Sequence, residues 1–329
     1  MPILLGQSKV IQAVRIQLQR YAACDVQVLI EGETGTGKEV AAREIHYASA
    51  RREHPFVPVN CGAIPDSLIE NELFGHDRGA FTDAKVAQPG LVDLARGGTL
   101  FLDEVDALSA KGQVTLLRFL QDNEYRPVGG CATRVSDARI ISATNASLER
   151  QVAAGRFRCD LQYRLNALYL QLPPLRSREG DVALLAEHFL LAVATRLRGP
   201  AKRWSEAAMQ ALIAYAWPGN VRELDNITLR AYVSTEATVI GFTDLAAAEP
   251  AFATSQPVPR RRANEPEVGF STAKCRAIHK FEHDYLSQLM QRTGGNISAA
   301  ARLSGTERRQ LGKLLVKHGI EAKPFRPRS

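Results

Sequence analysis

Up to about residue 172, short apolar runs alternate with amphipathic stretches. VQVLI (26–30), TLFLD (99–103), ARIISAT (138–144) and LYLQL (168–172) read as buried parallel strands, and VTLLRFLQ (114–121) carries helical spacing. This alternation predicts an α/β domain over 1–172, with a parallel sheet and its ligand at the carboxyl ends of the strands. From LPPL (172–175) to about residue 245 the strand signals fade. DVALLAEHFLLAVATRL (181–197) and SEAAMQALIAYAW (205–217) read as amphipathic helices of a small α-helical subdomain, 173–245. Residues 246–268 are rich in Ala, Pro, Glu and Arg without periodicity and read as a linker.

Three helices are expected in 269–329. In the first, Phe281, Tyr285, Leu286, Leu289 and Met290 share a face, and GGN (294–296) breaks it. Asn296 then N-caps ISAAARL, Gly305 turns the chain, and Thr306 caps ERRQLGKLLVKH, whose buried stripe is Leu311, Leu314 and Leu315. Two short helices joined by a glycine turn, the second basic, form a helix-turn-helix pattern. Arg308, Arg309, Gln310, Lys313 and Lys317 lie off the buried stripe.

Charge sharpens this picture. Residues 251–329 hold 15 Lys and Arg against 6 Asp and Glu, a balance of +9, whereas residues 1–250 hold 27 against 29, a balance of −2. The whole positive excess sits in the last quarter, which points to a polyanion partner, with nucleic acid first. Apolar content of 45% is that of a globular protein, and no apolar run reaches membrane-span length. The five cysteines (24, 61, 131, 159, 275) show no C-x-x-C spacing, so reduced thiols and a cytoplasmic location are expected.

The chemistry concentrates in GETGTGKE (32–39), directly after the first predicted strand. Gly32, Gly35 and Gly37 let successive N–H groups of the loop, including those of Glu33, Thr34 and Thr36, point inward. Lys38 reaches the β- and γ-phosphates of a nucleotide. Glu39 stands where other phosphate loops carry Ser or Thr. GGTLFLDEV (97–105) ends a strand in two acids, of which Asp103 suits Mg²⁺ and Glu104 suits polarisation of an attacking water.

Together these motifs resemble the bacterial enhancer-binding proteins, AAA+ ATPases that activate sigma-54 RNA polymerase, from about residue 5 to 320. The resemblance implies an AAA+ P-loop fold with a helical lid, ATP and Mg²⁺ as cofactors, and a Fis-type helix-turn-helix. PFVPVNCGAI (55–64) matches the segment whose Asn60 restrains the catalytic Glu. ARIISATN (138–145) matches the sensor I strand, placing Thr144 and Asn145 near the γ-phosphate. GRFRCDLQYRLN (155–166) resembles the arginine-finger segment, with Arg158 and Arg164 acting in trans. WPGNVREL (217–224) matches the sensor II motif with Arg222 on the nucleotide. ELFGHDRGAFTDA (72–84) resembles the polymerase-contacting loop, giving Gly79, Ala80, Phe81, Thr82, Asp83 and Ala84 as sigma-54 contacts, with Asp83 in place of a glycine.

The partners so implied are enhancer DNA, with Asn296, Arg308, Arg309, Gln310, Lys313 and Lys317 as contacts, and the sigma-54 holoenzyme. A hexameric ring of the chain itself, resting as dimers, is implied too. If the chain is complete, control is expected from a separate regulatory protein, from expression level or from assembly with a paralogue. The alternative is an AAA+ DNA-binding regulator that does not act through sigma-54.

Overall fold

The computed structural model describes residues 4–82, 84–254, 282, 285–286 and 289–320. Five strands, β1 (Val28–Glu31), β2 (Phe56–Asn60), β3 (Thr99–Asp103), β4 (Arg139–Thr144) and β5 (Leu168–Gln171), form one parallel sheet in the order β2-β3-β4-β1-β5. The central strands are apolar on both faces because helices cover both. Phe101 and Ile141 pack with Ile11, Leu18 and Ile45 of the helices Lys9–Ala22 and Lys38–Tyr47. Leu100, Leu102 and Ile140 pack on the opposite face with Leu116 and Phe119 of Ala110–Asp122 and Leu161 of Cys159–Leu165. Alternate residues of one strand thus serve two cores.

Strand β2 is an element that hydrophobic patterning does not announce. Pro58 interrupts it and its burial is patchy. It survives because it is an edge strand paired only with β3, so the missing N–H of Pro58 can face away from the ladder.

Beyond β5 the chain builds the helical lid from Asp181–Leu197, Glu206–Ala214 and Asn220–Ser234. Two short strands, Arg203–Trp204 and Val239–Ile240, pair in parallel within it. The helix expected to run to residue 217 stops at Ala214, and Trp217 turns into the lid core with φ 53° and no exposed surface. The expected linker start at 246 is corrected. Phe242–Ala248 and Ala251–Thr254 are helical, and Phe252 is buried against Tyr215 and Trp217. One aromatic among the alanines is enough to anchor that segment to the lid; residues 255–268 lie outside the described set.

The chain divides into two compact units after Pro257. In the second, Leu286, Leu289, Met290, Ala300, Ala301, Leu311 and Leu315 make a small core, and Phe281 lies outside the described residues. Asn296 caps Ile297–Ser304 by accepting from the N–H groups of Ser298 and Ala299, and Gly305 follows at φ 65°. The cap of the last helix, Arg308–Lys317, is Glu307, not Thr306 as expected. Thr306 shares a hydrogen bond with Ser304 Oγ at 2.5 Å, which diverts its hydroxyl from the helix end.

Candidate functional site

A cavity of about 400 Å³ opens where the carboxyl ends of β1, β3 and β4 meet the lid. Its floor is the loop Thr34 to Gly37 and the start of Lys38–Tyr47, so the free N–H groups of a helix N-terminus face the space. Gly37 caps that helix at φ 99° and Gly35 sits at φ 79°, conformations that favour glycine. A Cβ on Gly35 would also lie 2.3 Å from the carbonyl oxygen of Gly219 in the lid.

Lys38 is buried, and its Nζ donates to the carbonyl oxygens of Gly32 (2.7 Å) and Glu33 (3.2 Å) and to Asn145 Oδ1. Burial lowers its pKa, an effect that nearby Asp103, Asp106 and Glu104 oppose. Asn145 Nδ2 in turn donates to Glu104 Oε1 at 3.3 Å. Lysine, amide and acid therefore form one chain of contacts across the ends of β1, β3 and β4. Burial raises the pKa of Asp103, and the charges of Glu104 and Glu39 push the same way. Glu104 adopts φ 55° and ψ 44°, left-handed and unusual for a side chain of its size.

Several residues singled out from sequence do not line the cavity. The hydroxyl of Thr144 is buried and donates to Asp106 Oδ1 (2.7 Å) and the carbonyl of Ala146 (2.9 Å). Asn60 accepts from the N–H of Gly62 at 2.8 Å, so the amide hydrogen-bonded to Glu104 among the described residues is that of Asn145. Gly32 contributes its carbonyl to Lys38, and the Glu33 side chain turns to the lid. Glu39 lines the cavity and pairs with Arg43, and Arg222 lines it from the lid side. Arg158 is exposed and paired with Asp160 at 2.7 Å. Arg164 donates to the carbonyls of Leu120 and Gln121 at the end of Ala110–Asp122.

Patterning alone did not single out Asp106, Arg178 or Asn220. Arg178 is buried, donates to the carbonyls of Pro173 and Thr36, and is pushed down to about 10 by burial. Leu4, Leu5, Leu185, Phe189 and Val221 give the cavity an apolar end, from three separate stretches of sequence.

Away from the cavity, Gly75 and His76 pair with Pro89 and Gln88, and the intervening segment carries the GAFT motif. The N–H of Gly79 donates to the carbonyl of Ala84 at 2.8 Å. Thr82 is exposed, Phe81 is 47% exposed with its ring 4.9 Å from that of His76, and Asp83 lies outside the described residues. In the second unit Arg308, Arg309, Gln310 and Lys313 are exposed. Asn296 commits its oxygen to capping, and Lys317 donates to Glu282 at 3.1 Å.

A strand–glycine loop–helix cradle, an acid pair at the end of β3, one strand removed from β1 across β4, and a helical lid over the cleft define a P-loop NTPase of the AAA+ class. Residues 4–171 match the sigma-54 interaction domain, 176–261 the AAA+ ATPase lid domain and 277–317 the Fis family of bacterial regulatory proteins. The chain belongs to the sigma-54 activator family. It is 42% identical over 310 residues to the transcriptional regulatory protein GlrR of Escherichia coli K12, covering 94% of this chain and 66% of that one. It is 41% identical to the transcriptional regulatory protein ZraR of Salmonella typhi, covering 94% and 67%. The chain thus spans about two thirds of the length of the curated relatives it matches. A crystal structure of NtrX from Brucella abortus in complex with ADP superimposes with a TM-score of 0.71 at 34% identity, covering 97% of this chain and 70% of that one.

Proposed function

We propose that this chain is an ATP-hydrolysing activator of sigma-54-dependent transcription. The observation that carries the reading is the contact chain Lys38–Asn145–Glu104 at the mouth of the phosphate loop, in a chain of this family. The N–H groups of residues 34–38 and the Lys38 ammonium bind the phosphates of ATP, and the apolar end of the cavity takes the base. Glu104 polarises the attacking water, and Asn145 holds its carboxylate in place. Arg222 contacts the nucleotide from the lid.

Among the described residues no three acids, histidines or cysteines form a ready-made metal cage. Mg²⁺ needs only one or two carboxylates beside phosphate oxygens. Asp103, with Glu39 nearby on the cavity wall, fits that requirement. When bound there, Mg²⁺ would neutralise phosphate charge.

Arg158 and Arg164 reach the site of a neighbouring subunit in a hexameric ring. Asn60 relays the γ-phosphate state to the loop at 79–84, whose Phe81 and Thr82 engage sigma-54 and remodel the closed complex. The basic unit holds upstream DNA through Arg308, Arg309, Gln310 and Lys313. Transcription in vitro with sigma-54 polymerase tests this. The unaltered chain should activate, Lys38→Ala should lose ATP hydrolysis and activation, and Thr82→Ala should keep hydrolysis and lose activation. Activation indifferent to both changes would refute the proposal.

A further inference from the structure

The Glu33 side chain belongs to the phosphate loop yet leaves the nucleotide cavity. Arg176 Nη1 donates to its Oε2 at 2.7 Å and Nη2 to its Oε1 at 2.5 Å, a bidentate pair. Asn220 Nδ2 donates to the same Oε2 at 3.1 Å and to the carbonyl of Thr34 at 3.0 Å. Asn220 Oδ1 accepts from the N–H of Leu175 at 2.8 Å. One fully buried amide thus joins the phosphate loop, the hinge after β5 and the first turn of the lid helix Asn220–Ser234. It does so from φ 51°, a left-handed backbone that asparagine tolerates better than most residues. The next two N–H groups, of Val221 and Arg222, donate to the carbonyl of Gly35 at 3.0 and 3.3 Å.

From this we infer that Glu33, Arg176 and Asn220 form a latch across the hinge, setting the lid angle and holding Arg222 at the nucleotide cavity. They are positioning residues. Arg176 and Glu33 remain about half exposed, and such pairs contribute little to global stability. A weak contact still biases the orientation of two subdomains when it spans their joint, because the competing orientations differ by little energy. The carboxylate is charged throughout the ordinary pH range, since the Arg176 hydrogen bonds, with help from Asn220, hold it at about 2. The latch is therefore closed at any working pH, and the event that would open it is movement of the lid.

The inference rests on the nucleotide-binding reading above, and one set of measurements separates the two. ATP hydrolysis and thermal unfolding are followed for the full unaltered chain, Glu33→Gln, Arg176→Ala and the double variant. Loss of one joint is expected in all three, so KM for ATP should rise by the same factor, roughly three- to tenfold, in each single variant and in the double. In the same variants kcat should change by less than about twofold and the Tm by less than about 2 °C, which a purely structural role would not produce. An unaltered KM, effects that add in the double variant, or losses that follow a falling Tm would overturn the latch alone. An unaltered chain that neither binds nor hydrolyses ATP would overturn the nucleotide reading and the latch with it.

Discussion

Glu104 sits at φ 55° in the turn directly after β3, where a large side chain pays a conformational cost of about 1–3 kcal/mol. The neighbouring main chain accommodates it: a Cβ on Gly62 would lie 3.1 Å from Glu104 Oε2, so only glycine leaves that carboxylate full room. The strain aims the acid toward Asn145 and the cavity. Lysine, acids and glycine loop were legible from residue types and spacing alone. The roles of Asp106 and Asn220 were not, because each works through a hydrogen bond to a residue distant in sequence. At this scale Glu33 yields a pH prediction. Its carboxyl titrates at about 2 in the folded chain against an ordinary 4.5, so it binds protons less readily folded than unfolded. Its contribution to stability is complete above about pH 4.5 and is lost as pH falls toward 2. The Tm of Glu33→Gln should therefore lie slightly below that of the unaltered chain near neutrality and converge with it below pH 3. Parallel curves across that range would contradict the assignment.

Elements were read best where one physical signal dominated. Strands β3 and β4 have apolar centres and are buried almost throughout, a pattern satisfied only between two helix layers. Strand β2 escaped because Pro58 and an exposed edge blur the pattern, and partner β3 decides its fate. The lid's last helices escaped for a similar reason: alanine-rich sequence has no visible face until Phe252 finds Trp217 and Tyr215. The joint between loop and lid also belongs here. Gly35→Ala meets both a left-handed backbone and the Gly219 carbonyl, a strain of at least about 1–3 kcal/mol. A Tm lowered by several degrees with weakened ATP binding is expected, and an unchanged Tm would show that the loop and lid can part freely. In the second unit, Asn296→Ala should cost about 1 kcal/mol of that unit's stability through the lost cap. Far-ultraviolet circular dichroism on heating measures it.

On the scale of the whole molecule, charge and chemistry are segregated. The nucleotide cleft lies in the first unit, and the positive excess lies in the last quarter of the chain, which carries the helices Ile297–Ser304 and Arg308–Lys317. The two arginines assigned to a neighbour's site differ in their own chain. Among the described residues the Arg158 side chain is exposed and paired with Asp160, whereas Arg164 ties down two carbonyls at the end of Ala110–Asp122. Arg158→Ala should leave the Tm unchanged and reduce kcat for ATP hydrolysis by roughly 10³-fold, the usual worth of an arginine supplied to a transferring phosphate. Arg164→Ala should lower both. Mixing Arg158→Ala subunits with Lys38→Ala subunits should restore part of the hydrolysis, since some interfaces then pair an intact loop with an intact arginine. A mixture as inactive as its parents would contradict delivery between subunits.

What the sequence determined by itself rests on local pattern: parallel strands from short apolar runs, a phosphate cradle from glycine spacing, a helix-turn-helix from its glycine turn and charge. Its motifs also sufficed to place the chain in its family. The tertiary structure decided what depends on residues meeting from far apart. It brought Asn145 to Glu104, turned Thr144 onto Asp106, and bound the loop glutamate to Arg176 and Asn220 of the lid. Those contacts join segments up to 187 residues apart, and no periodicity along a chain records which distant polar groups will satisfy one another when both are withdrawn from water.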